Sequence, residues 1–109
     1  MLNKLISVVF LFISLIIGEI VMAQDFYIDV RSSEEYLTSP ISNTVNIPHT
    51  LISSQITSLN ITKDDTIYLF CRSGRRADIA KQSLQELGYQ NVINLGGFDD
   101  AQKFINSKK

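Results

Sequence analysis

The sequence reads as a three-layer α/β domain with a mainly parallel central sheet flanked by helices. Two observations lead there. Short runs of β-branched and aromatic residues alternate along the chain with segments of helical periodicity, the pattern of strands joined by crossover helices. One run, Thr66-Ile67-Tyr68-Leu69-Phe70, is apolar almost without a break, as expected of a strand covered on both faces.

The N-terminal segment stands apart from this pattern. Lys4 precedes Leu5 to Ile17, an apolar run broken only by Ser7 and Ser14, and Val21-Met22-Ala23 follows with a short-residue cleavage pattern. This predicts a signal peptide over residues 1–23, cut between Ala23 and Gln24. The rest, residues 24–109, would be one domain, periplasmic or secreted, with no stable membrane anchor after cleavage. A retained signal anchor is the alternative, but a spanning helix wants about 20 apolar residues and Glu19 comes too early. No cysteine follows the run, which excludes a lipoprotein anchor.

The elements follow in order. Phe26-Tyr27-Ile28-Asp29-Val30 predicts the first strand. Ser32 and Glu35 have capping-box spacing, so a short helix starts there and runs through Tyr36 and Leu37. Pro40 and Asn43 mark a loop, and Val45-Asn46-Ile47 predicts a short strand that Pro48 stops. Ile52, Ile56 and Leu59 share one helical face, which predicts a helix over 51–59 with Thr50 as its N-cap. Lys63-Asp64-Asp65 forms a turn before the apolar strand. Ala77, Ala80, Leu84 and Leu87 give the buried face of a longer helix, and Gly88 stands where a left-handed C-cap belongs. Asn91-Val92-Ile93-Asn94-Leu95 predicts the last strand and Gly96-Gly97 a turn. Phe98 to Asn106 closes the chain as a helix with Phe104 and Ile105 turned inward.

Composition narrows the function. The chain has 109 residues, room for one core at most, and 45% of them are hydrophobic against 19% charged. Ten Lys plus Arg against eleven Asp plus Glu leave a net charge of −1, which excludes a nucleic-acid binder working through bulk positive charge. A single Cys excludes an internal disulfide framework and a multi-cysteine zinc site, and a single His argues equally against a His-cluster metal site. A lone thiol in an exported protein needs a reason.

That reason lies in Cys71-Arg72-Ser73-Gly74-Arg75-Arg76, which joins the buried strand to the long helix. Ligands of open α/β sheets bind off the carboxyl ends of strands. A tight loop there ends in helix N-terminal N–H groups and forms an anion site. A helix N-terminus favours a nearby anion by roughly 0.3–1 kcal/mol, up to about 2 when partly buried. For a thiol with an ordinary pKa of about 8.5, that is a lowering of about 0.2–1.5. Any of Arg72, Arg75 and Arg76 that points inward adds to it. A thiolate fraction near neutral pH follows, and the thiolate is the nucleophile. A free Cys is otherwise most often a small buried hydrophobe. A Gly and three Arg within five positions argue against that here, although any one Arg can equally be a solvated surface charge.

These six residues resemble the active-site loop of rhodaneses, the sulfurtransferases. Other segments agree in order and spacing: Asp29-Val30-Arg31 with Glu34-Glu35-Tyr36, Asn46-Ile47-Pro48-His49, and Leu87-Gly88-Tyr89 with Val92 and Leu95-Gly96-Gly97-Phe98. The resemblance covers essentially residues 25–106 and, with the N-terminal segment, is to exported single-domain rhodaneses of the phage-shock type. It implies a rhodanese-like fold and a Cys71 that takes the outer sulfur of thiosulfate as a persulfide. The N–H groups of Arg72 to Arg76 would hold the transferred sulfur, and cyanide, a thiol or a protein would accept it. No metal or organic cofactor is implied. Asp29 and Arg31 would be architectural supports of the site, and His49 structural or exposed. Departures are Ser39-Pro40-Ile41 for the usual Gly-His-Ile, Ser42-Asn43-Thr44 for Pro-Gly-Ala, and Ala101 where a Trp is common. Rival readings are a binding or sensor module without turnover, a cysteine phosphatase or arsenate reductase, and a redox protein. The redox reading lacks a resolving Cys in this chain.

Overall fold

Side chains alternate across the two faces of a strand, and here that alternation divides the core in two. The computed structural model describes residues 22–109. Strand β1 (Asp25–Asp29) sends Phe26 and Ile28 to one face and Tyr27 to the other. Strand β3 (Thr66–Phe70) does the same with Ile67 and Leu69 against Phe70. With β2 (Val45–Asn46) and β4 (Val92–Asn94) they form a four-stranded sheet of order β2-β1-β3-β4, every pairing parallel. The expected mainly parallel sheet is therefore present.

Helices cover both faces. On one side lie α2 (Ile52–Gln55), a 3₁₀ turn after it, and α3 (Arg75–Glu86), which bury Ile52, Ile56, Ala77, Ala80 and Leu84 against Ile28, Ile67 and Leu69. On the other side α4 (Phe98–Ser107) buries Ala101 and Ile105 against Phe70 and Ile41. Tyr27 and Tyr68, register partners on neighbouring strands, stack with ring centroids 5.0 Å apart. Phe104 packs partly buried against both rings, and Ile105 is the more deeply set of the two residues expected to face in. Ala101 is fully buried, so the position where a Trp is common holds a small core residue.

Local chemistry sets the ends of these elements. Helix α1 (Ser33–Thr38) starts with the expected capping box: the Glu35 N–H donates to Ser32 Oγ, and the Ser32 N–H donates to the Glu35 carboxylate. Gly88 takes φ +97°, and its left-handed turn lets the Tyr89 N–H donate to the Leu84 carbonyl at 3.1 Å.

Three expectations need correction. The helix over 51–59 is three short pieces: a 3₁₀ turn at His49–Leu51, α2, and a second 3₁₀ turn at Ile56–Leu59. Its periodicity is real, since Ile52 and Ile56 are buried and Leu59 packs on the core. Thr50 caps nothing: it lies inside a 3₁₀ turn that Pro48 begins, and no side chain caps α2. Leu87 is 43% exposed, because the chain leaves the helix at that residue and Tyr89 closes the core in its place. In addition, β1 is shifted one residue toward the N-terminus of its expected run, β2 ends one residue early, and β4 is one residue shorter at each end. The expected signal peptide lies outside the described residues, apart from Met22 and Ala23, which are exposed and without regular structure.

The strand order places the site. From β1 the chain goes out to β2 and then returns to the other side of β1 as β3. The connections at the carboxyl ends of β1 and β3 therefore part in opposite directions and leave a crevice between them. Cys71 is the first residue beyond β3.

Candidate active site

Cys71 shares the face of Ile67 and Leu69, and its side chain is buried among them. Its own N–H donates to the Gly96 carbonyl at 3.2 Å. Three residues later the backbone turns left-handed at Gly74, φ +95°, and α3 begins with no side chain capping it. The N–H groups of that first turn are thus left for the sulfur. The Gly74 N–H donates to Cys71 Sγ at 2.9 Å. Burial is the largest single influence on the thiol and pushes its pKa up. The N–H groups of Ala77, Ser73, Gly74 and Arg76 together outweigh it and hold the thiol below its ordinary value. Ala77, one residue beyond the expected range of 72–76, joins the group because it too is in the first turn.

A second set of contacts fixes the loop. Ser73 pairs with Gly97 in an antiparallel bridge, and the Phe98 N–H donates to the Arg72 carbonyl at 3.4 Å. A Cβ on Gly97 would stand 2.8 Å from that carbonyl oxygen, so only glycine lets the two segments come this close. Asn94 ties the same segments together. Its Nδ2 donates to the Gly74 carbonyl at 2.9 Å, and its Oδ1 accepts from the Gly96 N–H at 2.8 Å. Sequence reasoning missed Asn94. The available signal was a polar residue at the end of a strand that faces the loop.

The arginines separate. Arg72 and Arg75 are exposed, whereas Arg76 is half-buried and turned back toward α1. Its two terminal nitrogens donate to the two Glu35 carboxylate oxygens at 2.6 and 3.0 Å. This pair, with Ser32 assisting, draws the Glu35 carboxyl down to about 2. The Arg76 guanidinium is stabilised first by Glu35 and to a lesser degree by the nearby Cys71 sulfur. Glu35 was expected only as half of a capping box, and its second partner lies 41 residues away, beyond any local pattern.

Asp29 and Arg31 form a buried ion pair. Arg31 Nη2 donates to Asp29 Oδ2 at 2.7 Å and to the Ser39 carbonyl at 2.7 Å, while Nε reaches both carboxylate oxygens. The Arg31 guanidinium also lies 4.6 Å from the Phe98 ring centre. The pair thus locks the end of β1 to the loop after α1 and to the start of α4. Next to it opens a cleft of about 610 Å³ whose walls include Arg31, Glu34, Glu35, Arg72, Phe98 and Asp99. Cys71 does not line this cleft, whereas Arg72, the next residue along the chain, does. Among the described residues no three His, Cys, Asp or Glu side chains converge as metal ligands.

A Rhodanese-like domain family profile matches residues 18–103. The chain belongs to that family. The thiosulfate sulfurtransferase PspE of Escherichia coli K12 is 36% identical over 80 residues, which cover 73% of this chain and 77% of that protein. The putative sulfur carrier protein YrkF of Bacillus subtilis is 37% identical over 68 residues, 62% of this chain and 36% of that one. Among solved structures, a rhodanese with anions from E. coli superposes with a TM-score of 0.66 at 36% identity, covering 70% of this chain and 89% of that one. The human single-domain sulfurtransferase TSTD1 gives 0.63 at 26% identity, covering 72% and 81%. The activity that membership carries is that of a rhodanese-family sulfurtransferase.

Proposed function

We propose that this rhodanese moves the outer sulfur of thiosulfate, or of a similar donor, through a persulfide on Cys71 to cyanide, a thiol or a protein acceptor. The observation that carries the reading is the convergence of first-turn N–H groups on Cys71 Sγ, the nearest at 2.9 Å. The Cys71 thiolate attacks the outer sulfur of thiosulfate. A sulfur–sulfur bond forms to Sγ, the sulfur–sulfur bond of the donor breaks, and sulfite leaves with the electron pair. The acceptor then attacks the outer persulfide sulfur, and Sγ takes the pair back as thiolate. The N–H groups of Ser73, Gly74, Arg76 and Ala77 face negative sulfur in both steps, so their dipoles favour the charge wherever it sits. Exposed Arg72, which lines the cleft, meets the anionic donor. Every group this scheme uses belongs to the chain or to the two substrates.

The length of the loop argues for sulfur over phosphate. Cysteine phosphatases use Cys, five residues, then Arg, and the sixth residue after Cys71 is the fully buried Ala77. Arg76 comes one residue early and is committed to Glu35. The similarity to a sulfur carrier fits the same persulfide without requiring fast turnover. We also propose export with loss of residues 1–23, on the strength of the apolar run and the Val21-Met22-Ala23 pattern. Among the described residues no helix is long and apolar enough to cross a membrane.

The experiment is Cys71→Ser in a thiosulfate–cyanide assay. The change is nearly isosteric, so the fold persists while persulfide formation is lost. Turnover that survives the substitution would refute the mechanism.

A further inference from the structure

We propose that Glu35 is a positioning residue for the reaction at Cys71: it clamps the guanidinium of Arg76, a residue of the cysteine loop, and cancels its charge there. The proposal rests on the sulfur-transfer reading for its purpose, but not for its test.

The geometry is that of a rigid clamp. Glu35 takes both terminal nitrogens of Arg76, at 2.6 and 3.0 Å, the fork-on-fork arrangement that fixes a guanidinium in plane and direction. Glu35 is itself held, since its Oε1 accepts from the Ser32 N–H at 3.2 Å and from Ser32 Oγ at 3.0 Å. The clamp therefore links the first turn of α1 to the first turn of α3, where the Arg76 N–H also faces the sulfur. A capping box needs the carboxylate only at the start of its own helix. The same group in a two-point pair with a residue of the cysteine loop has a second task.

Other charges around the site do not perform it. Arg31, which lines the cleft, is matched by Asp29. Arg72, Arg75 and Asp78 are exposed on the loop and the first turn of α3, and Asp100 is exposed on α4 near Gly96. Glu34 on α1 and Asp99 on α4 are exposed and line the cleft. His49 lies in the 3₁₀ turn that packs against α3. Of the three loop arginines only Arg76 combines partial burial with an acidic partner. With its charge matched, the thiolate is held mainly by backbone N–H groups. That leaves the sulfur acidic enough to ionise without the strong stabilisation by a free cation that would blunt its attack, because nucleophilicity falls as thiol pKa falls.

The test is the pH dependence of Cys71 alkylation by iodoacetamide, which needs the thiol and no sulfur donor. Glu35→Gln keeps the cap acceptor but removes the charge and one arm of the clamp. The freed Arg76 cation should then lower the half-alkylation pH by roughly half a unit. In an Arg76→Gln background the same Glu35→Gln change should give at most a small part of that shift. Ser32→Ala, which breaks the cap and leaves the ion pair, should keep the wild-type value. No downward shift in Glu35→Gln overturns the proposal. So does an equal shift with and without Arg76, or the same shift in Ser32→Ala. The Cys71→Ser turnover assay judges the sulfur-transfer reading separately, so failure of one is not failure of the other.

Discussion

At Cys71 two opposing effects act on one sulfur, and their balance decides its chemistry. Burial alone would make it the inert small hydrophobe that most free cysteines are. The N–H groups of the first turn of α3 reverse that, holding the thiol below its ordinary value despite burial. Alkylation of Cys71 should thus reach half its maximal rate at a lower pH than for a small free thiol, as a pH series would show. The arginines differ by position. Arg72 lines the cleft, and an exposed charge pair is worth roughly 1 kcal/mol or less. Arg72→Ala should raise the thiosulfate KM several-fold, less so at high salt, whereas Arg75→Ala should change it little. Initial rates at two ionic strengths distinguish the two. Cys71 and its loop were legible in the sequence because residue type and order carry the chemistry. The directions of Arg72, Arg75 and Arg76 were not: that of Arg76 depends on Glu35, which reaches the loop only through the fold.

Among the elements, the β4–α4 turn works as the rear support of the cysteine loop. Gly97 permits the close approach, and a Cβ there would stand 2.8 Å from a backbone oxygen that cannot swing aside. Gly97→Ala should lower stability by roughly 1–3 kcal/mol through overpacking, and it should slow sulfur transfer by shifting Arg72 and Ser73. Urea titration and turnover on the same sample check both effects. The end of β1 is supported from the other side by the buried Asp29–Arg31 pair. Asp29→Ala leaves Arg31 buried without its partner and should cost about 3–5 kcal/mol, which urea titration also measures. Period and propensity revealed β3, α3 and α4, where apolar repeats are long enough to count. They overstated the helix over 51–59, where Ile52, Ile56 and Leu59 are correctly spaced but uncapped short turns carry them. Asn94 escaped because its role is a bridge between two loops, and no repeat reports it.

Across the whole molecule, the sheet order brings α1, the cysteine loop and the start of α4 to one end, and acid should loosen that end. Glu35 has its pKa lowered from 4.5 to about 2 by Arg76, so its contribution to stability is complete above 4.5 and is lost as pH falls toward about 2. At the opposite end of the sheet Asp65, held down by the N–H groups of Gln24 and Thr62, makes stability depend on pH in the same direction. Urea midpoints should therefore fall as pH drops below 4.5, and fall less in Glu35→Gln. The proposed reaction runs through one sulfur atom, and mass spectrometry can follow that atom. The protein from residue 24 onward should gain the mass of one sulfur on treatment with thiosulfate and lose it again on addition of cyanide, while Cys71→Ser gains nothing. An unchanged mass in the wild type, or an equal gain in Cys71→Ser, would contradict a persulfide at Cys71.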